Sequence, residues 1–299
     1  VSPSGFEQYQ QMAYGIAGQV LGEEARDQFL GCEPAAANVP DDACIQSFLA
    51  AYGEKLFRRP LSAAELASRM AIVTQVMMLG GDVHEGMQNA LASLLVSPEF
   101  LFRIESVEPD PEAPGELRMT AYSKAARLSF FLWNTTPDAE LLAAAQRGEL
   151  HNAAGMRRQV ERLLDSPRLE TGMRNLFADM LRFDTFPGLS KDAALYPVFT
   201  SDVAQAMQEQ TLQALVQHLL VDNGDYRDLF TQATMPMERR LGMVYAVPVG
   251  APEGWRSYRF GEASPRAGLL SQASLLSLHA HAGSSSPTLR GLFVRETFL

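Results

Sequence analysis

The 299-residue chain is poor in several things at once, and each shortage excludes something. It has two cysteines, Cys32 and Cys44, and five histidines. A chain of this length buries roughly 75% of its unfolded surface, so it folds without a metal or disulfide scaffold. Positive charge is short: 25 Lys and Arg face 35 Asp and Glu, giving a formal charge of −10. That balance argues against a nucleic-acid binder, because phosphate contacts need a basic face. No apolar run approaches the roughly 18 residues of a membrane span; Leu91–Val96 and Gly268–Leu278 are too short or too mixed. Catalytic signatures are missing as well. There is no G-x-S-x-G elbow, P-loop or dinucleotide fingerprint, and no C-x-x-C-H for covalent haem. His84-Glu85 opens like a zincin motif, but Gln88 stands where the second histidine belongs. Asp222–Asp225 lacks the pattern of a calcium loop and reads as a helix stop.

What is present is ordinary globular composition, 46% hydrophobic and 20% charged, with helical periodicity almost throughout. Ser62 and Glu65 form a capping box, and Thr136-Pro137-Asp138 reads as a helix start with Thr136 as cap. Thr200 opens the longest candidate, which runs to about Val221. Its apolar stripe includes Val203, Met207, Leu215 and His218. Other helices are expected near 5–21, 41–58, 63–79, 83–96, 120–133, 153–164, 167–182, 266–278 and 288–298. Strand signals are few, chiefly Val244–Val249. Residues Glu105–Met119, with Pro109, Pro111, Pro114 and Gly115, read as a linker. The expected fold is therefore all-α: a multi-helix array in two subdomains, 1–111 and 112–299, with at most a minor β-hairpin and a loop-rich insertion at about 248–265. No internal repeat is found.

The residues leave several chemical readings open. Cys32 and Cys44 either bridge, closing a loop of about 13 residues for about 3 kcal/mol, or are two free thiols. His279 and His281 would face the same way on an extended backbone and could share a metal ion with a third ligand; otherwise they lie on a turn between helices. His218 reads as a buried helix-face residue and His151 as a helix-capping one. Trp133, Phe130 and Phe131 read as core. Trp255, Tyr258 and Phe260 differ, because they sit in a polar loop. Such aromatics stack on sugar rings or polymer surfaces, dock a partner module, or pack their own loop. Arg58 and Arg59 read as anchors of a helix C-terminus, and Arg103 with Glu105 as an internal ion pair.

Six ordered segments carry a resemblance: KLFRRPL at Lys55–Leu61, LLVSPEFLFRIE at Leu94–Glu105, ARLSFFLWNTTPDAELL at Ala126–Leu142, GELH at Gly148–His151, AGLLSQASLLSL at Ala267–Leu278, and SPTLRGLFVRE at Ser286–Glu296. Together they resemble the planctomycete-type PSD/PSCyt domains, helical modules of unknown function in large exported bacterial proteins. The resemblance implies a middle portion of a longer chain, in keeping with a sequence that opens at Val1 without Met or a leader. It implies a periplasmic or surface location, which favours the Cys32–Cys44 disulfide. The implied partners are N- and C-terminal modules of the same protein, together with a c-type cytochrome or a co-encoded exported protein. No cofactor is implied within this chain; any haem or metal would sit in other modules. Arg290, in the S-P-x-x-R-G segment shared with the family, either holds an anion or partner or pairs with Glu296. Three functions stay open on this basis. The first is a non-catalytic scaffold for an electron-transfer or surface assembly. The second is a metal- or haem-dependent oxidoreductase whose site is shared with other modules, and the third is a polysaccharide-binding module.

Overall fold

The computed structural model describes residues 2–32, 41–250 and 253–299. The fold is all-α, with two small β-hairpins among the described residues. It divides into two compact units, Val1–Asp165 and Ser166–Leu299.

The first unit starts with α1 (Pro3–Leu21), α2 (Arg26–Phe29), α3 (Asp42–Phe57), α4 (Ala63–Met78), α5 (Val83–Leu95) and α6 (Pro98–Leu101). Ala13, Ala17 and Leu21 recur four residues apart on α1 and bury one stripe, and α1 packs on α5. Together with Phe48 and Leu49 of α3 and Met87 and Leu94 of α5 they make one core. The Ser62–Glu65 capping box forms as the sequence predicts. Cys32 and Cys44 are joined in a disulfide with 5.6 Å between their Cα atoms. Pro34, Asn38 and Pro40, between the two cysteines, lie outside the described residues.

The Pro-rich stretch expected to be a linker is instead a hairpin, in which β1 (Val107–Pro109) pairs antiparallel with β2 (Leu117–Met119). Residue 112 lies in its loop, and the hairpin separates two cores of this unit. The second core is formed by α7 (Ala121–Trp133), α8 (Ala139–Gln146) and α9 (Ala153–Leu164) around Leu141, Leu150, Leu163 and Trp133. The Trp133 indole N–H donates to the Leu163 carbonyl at 2.9 Å. Phe131, read from sequence as core, is 67% exposed. The α8 cap is Asp138, not Thr136. The Asp138 carboxylate accepts from the Leu141 amide and also takes both guanidinium NH2 groups of Arg162, at 2.7 and 2.9 Å. A hydroxyl has no equivalent of that second role.

Arg58 ends α3 in the left-handed region, and its guanidinium donates to the carbonyls of Glu99, Phe100 and Phe102 at the end of α6. It thus caps a helix C-terminus, as expected. Arg59 pairs with Glu65 and Glu99. The expected Arg103–Glu105 pair does not form: Arg103 lies over the Phe130 ring, and Glu105 faces Arg127 at 3.6 Å.

The second unit contains α10 (Arg168–Met180), α11 (Ser201–Val216), β3 (Thr234–Met237), α12 (Arg239–Tyr245), β4 (Arg256–Arg259), α13 (Ala273–Leu278) and α14 (Pro287–Phe298). Its core is richer in aromatics, including Phe177, Phe183, Phe186, Tyr245, Phe260 and Phe293. Val244–Val249 is not a strand. Val244 and Tyr245 close α12, with Tyr245 buried, and Ala246 turns left-handed. The strand pair is β3 with β4, in the register Thr234↔Arg259 to Met237↔Arg256. β4 falls inside the expected loop-rich insertion; Ala251 and Pro252 of that insertion lie outside the described residues. The helix expected over 266–278 is broken. Gly268 has φ +69°, and a Cβ there would come within 2.0 Å of the Phe230 carbonyl oxygen, so the chain enters a short turn before α13.

Candidate functional site

Within the second unit, α10, α11 and the β3–β4 hairpin enclose an open cavity of about 910 Å³. The hairpin wall follows from alternation: Met235 and Met237 are buried in the core, while Thr234 and Pro236 are half-buried at the cavity. Pro236 costs no ladder bond of consequence, because a two-stranded sheet has only edges. α11 begins at Thr200, whose hydroxyl accepts from the Val203 amide at 3.3 Å, and its last stretch widens into a π turn, Gln217–Val221. π turns of this kind are found frequently at functional sites.

This turn aims His218 inward. The histidine is buried and held on both nitrogens: Nε2 lies 2.7 Å from the Asp225 carbonyl and Nδ1 2.5 Å from the Gln232 amide nitrogen. Facing a carbonyl, Nε2 must donate, which leaves Nδ1 to accept from Gln232. Gly224 makes this possible, since a Cβ at that position would sit 2.1 Å from the His218 ring. Charged and amide side chains line part of the cavity, beside apolar residues such as Val216 and Met235. Arg174 pairs with Glu209 and lies 3.8 Å from Glu170, Gln213 donates to Glu209 at 2.9 Å, and Gln217 donates to Asp222 at 2.8 Å. Trp255, Arg256 and Arg259 complete the wall.

Beneath the wall is a buried polar network. The Gln210 amide donates to the Pro236 carbonyl and its oxygen accepts from the Tyr245 hydroxyl, both at 2.7 Å. That hydroxyl accepts from the Ala273 amide, and Thr211 bonds to Gln272 and Ser274. Burial pushes the Tyr245 pKa up to about 12, so the phenol stays protonated and available as a donor. The network ties α11, β3, α12 and α13 together and fixes the floor on which the cavity stands.

The three loop aromatics separate. Trp255 is half-buried and lines the cavity. Phe260 is buried in the core, and Tyr258 packs edge-on against it with ring centroids 5.0 Å apart. The two candidate metal histidines also separate. His279 stacks on Phe293 at 4.0 Å, and burial lowers its pKa, with Arg182 adding to the effect. His281 is exposed, and its carbonyl accepts from Lys191. Among the described residues no three His, Cys, Asp or Glu side chains converge on a metal position. Arg290 does not pair with Glu296, which is held by Arg182 at 2.9 Å. His151 does not cap α9. Asn152 does, while His151 lies between Glu108, at 3.2 Å, and Lys124.

Sequence reasoning missed Arg174, Glu209, Gln213, Gln217, Arg256 and Arg259. The first four are polar residues on helices and look like any solvated face. The R-S-Y-R run of β4 carried the one available signal, two arginines bracketing an aromatic in a loop-rich stretch.

Residues 44–105 match the family PSD5, a protein of unknown function (DUF1595), and residues 119–247 match PSD4, a protein of unknown function (DUF1592). The two matches span more than half of the chain and follow one another in order. Over these two segments the chain is similar to the PSD families. They are planctomycete cytochrome-associated domain families without an assigned role. No curated protein and no solved structure matches the chain. The PSD4 segment contains most of the cavity, including Arg174, Glu209, His218 and Met235. Trp255, Arg256, Arg259, His279, His281 and Arg290 lie C-terminal to it. Cys44 is the first residue of the PSD5 segment, and Cys32 precedes it.

Proposed function

We propose that this chain is a non-catalytic interaction region of an exported, multidomain protein, and that the cavity beside the β3–β4 hairpin binds a polymer. The observation that carries this reading is Trp255, half-buried on the wall of an open cavity whose lining mixes apolar side chains with charged and amide ones. An indole in that setting offers a flat apolar face beside hydrogen-bonding groups, the combination a sugar ring requires. His218 supports binding over proton transfer, because both of its nitrogens are already engaged. The disulfide and the family support an exported setting, and the family supports association with a cytochrome-bearing or surface assembly through other modules. The division near residue 112 belongs to this proposal too. It falls between the two family segments and between the two cores of the first unit.

An oxidoreductase built on His279 and His281 has less support, since one ring is stacked on Phe293 and the other stands in solvent. Affinity electrophoresis through gels cast with a panel of soluble polysaccharides tests the proposal. The native protein is expected to be retarded by at least one member and Trp255→Ala to migrate freely. Equal retardation of the two would remove Trp255 from the site.

A further inference from the structure

The cavity's charges are not evenly satisfied. Each of its carboxylates has a partner within the cavity: Glu170 and Glu209 face Arg174, Glu209 also accepts from Gln213, and Asp222 accepts from Gln217. Arg256 and Arg259 are exposed and lack a carboxylate within ion-pair distance among the described residues. The bond Arg256 makes is to the neighbouring Trp255 carbonyl, at 3.3 Å. Two arginines without an ion-pair partner among the described residues therefore line the same cavity as Trp255, on a chain whose formal charge is −10. A neutral ligand would leave both unused.

Resting on the polymer-binding reading, we propose that the ligand is an anionic sugar chain. Trp255 stacks on a sugar ring, and Arg256 and Arg259 take its carboxylate or sulfate through their planar forks. A single-stranded nucleic acid would also offer rings and negative charge. Successive bases, however, stack on several aromatic side chains along a groove, and the cavity lining holds one such side chain among the described residues, Trp255. An acidic glycan places its charge at ring substituents and presents hydroxyls to the glutamines between.

The test uses the full chain, Trp255→Ala, and the double variant Arg256→Gln/Arg259→Gln, whose exposed positions leave the fold intact by circular dichroism. Affinities are measured for polygalacturonate against its methyl ester, for dextran sulfate against dextran, and for a single-stranded oligodeoxynucleotide. The native chain is expected to prefer an acidic polymer over its uncharged counterpart by about tenfold or more, as charge-assisted bonds imply. The double variant should lose that preference, and Trp255→Ala should lose binding altogether. Preference within the polygalacturonate pair assigns the anion to carboxylate, and preference within the dextran pair assigns it to sulfate. Equal affinity for the charged and uncharged members would overturn the anionic assignment and leave polymer binding standing. Binding to none of the five would overturn both. Equal affinity for the oligonucleotide, or a preference that survives the double variant, would also overturn the anionic-sugar assignment.

Discussion

In the first unit every α-helix except α2 begins with a side chain that accepts from its own first turn: Ser2, Asp41, Ser62, Asp82, Ser97, Thr120, Asp138 and Asn152. In the second, α10, α12 and α13 start without one. The first unit's cores are mostly aliphatic, and a disulfide fastens its N-terminal part. The second replaces local signposts with long-range polar ties, in which Gln210, Thr211, Tyr245, Gln272 and Ser274 are buried and bonded to one another or to distant backbone. The difference teaches where a cavity can be built. Helices fixed by their own ends pack into continuous cores, whereas helices interrupted by a π turn and a glycine turn leave concave surface that a network must support.

That contrast can be broken or sharpened by substitution. The largest effect is expected at the network. Gln210→Ala leaves the Tyr245 hydroxyl and the Pro236 carbonyl without their partner and should cost about 4 kcal/mol. Hydrogen exchange should show the loss in segments of the second unit, and protection lost equally in both units would dissolve the contrast. Cys32→Ser with Cys44→Ser should cost about 3 kcal/mol, seen in the first unit's exchange, with the second unit unchanged. Ser62→Ala should cost about 1 kcal/mol and register in α4 alone.

Two smaller effects depend on pH. Hydrogen bonding from Arg59 holds the Glu65 carboxyl at about 2, below its ordinary 4.5. A depressed carboxylate contributes stability that is complete above its ordinary value and is lost as pH falls toward the folded value. Arg59→Gln should therefore raise the pH of acid unfolding in the first unit, and a carboxyl resonance titrated by NMR should move back toward 4.5. In the second unit, burial lowers the pKa of His279 from its ordinary 6.5. The unfolded chain takes up a proton there before the folded one does, so stability declines as pH drops below that value. His279→Leu should flatten this decline. An unchanged slope would mean that the ring charges freely where it stands.

The same contrast explains what could be read from sequence. Ser62–Glu65, Thr200 and the 3.6-residue stripes of α1 and α11 are local signals, and they were legible because helix ends and faces are encoded by neighbours in the chain. The disulfide was legible once the family implied an exported setting. The β3–β4 pair was not, because Thr234–Met237 finds its partner some twenty residues away, across a stretch rich in Gly and Pro. Val244–Val249 showed β composition, yet Val244 and Tyr245 end a helix because burying Tyr245 on Gln210 outweighs local preference. At the site, Trp255 stood out as an aromatic in a polar loop. Arg174, Glu209 and Gln213 did not, since only the crossing of α10 and α11 makes their faces one wall. The grouping of Trp255 with Tyr258 and Phe260 broke down because β4 turns Phe260 into the core.

The central claim is that a ligand covers Trp255. The chain has two tryptophans, and Trp133 is buried at 2% exposure, so acrylamide quenching of the native protein reports chiefly on Trp255. With a polysaccharide that retards the protein in affinity gels present at saturation, the quenchable fraction of the emission should be lost. Undiminished quenching while that polysaccharide is bound would place the binding site elsewhere and contradict the account.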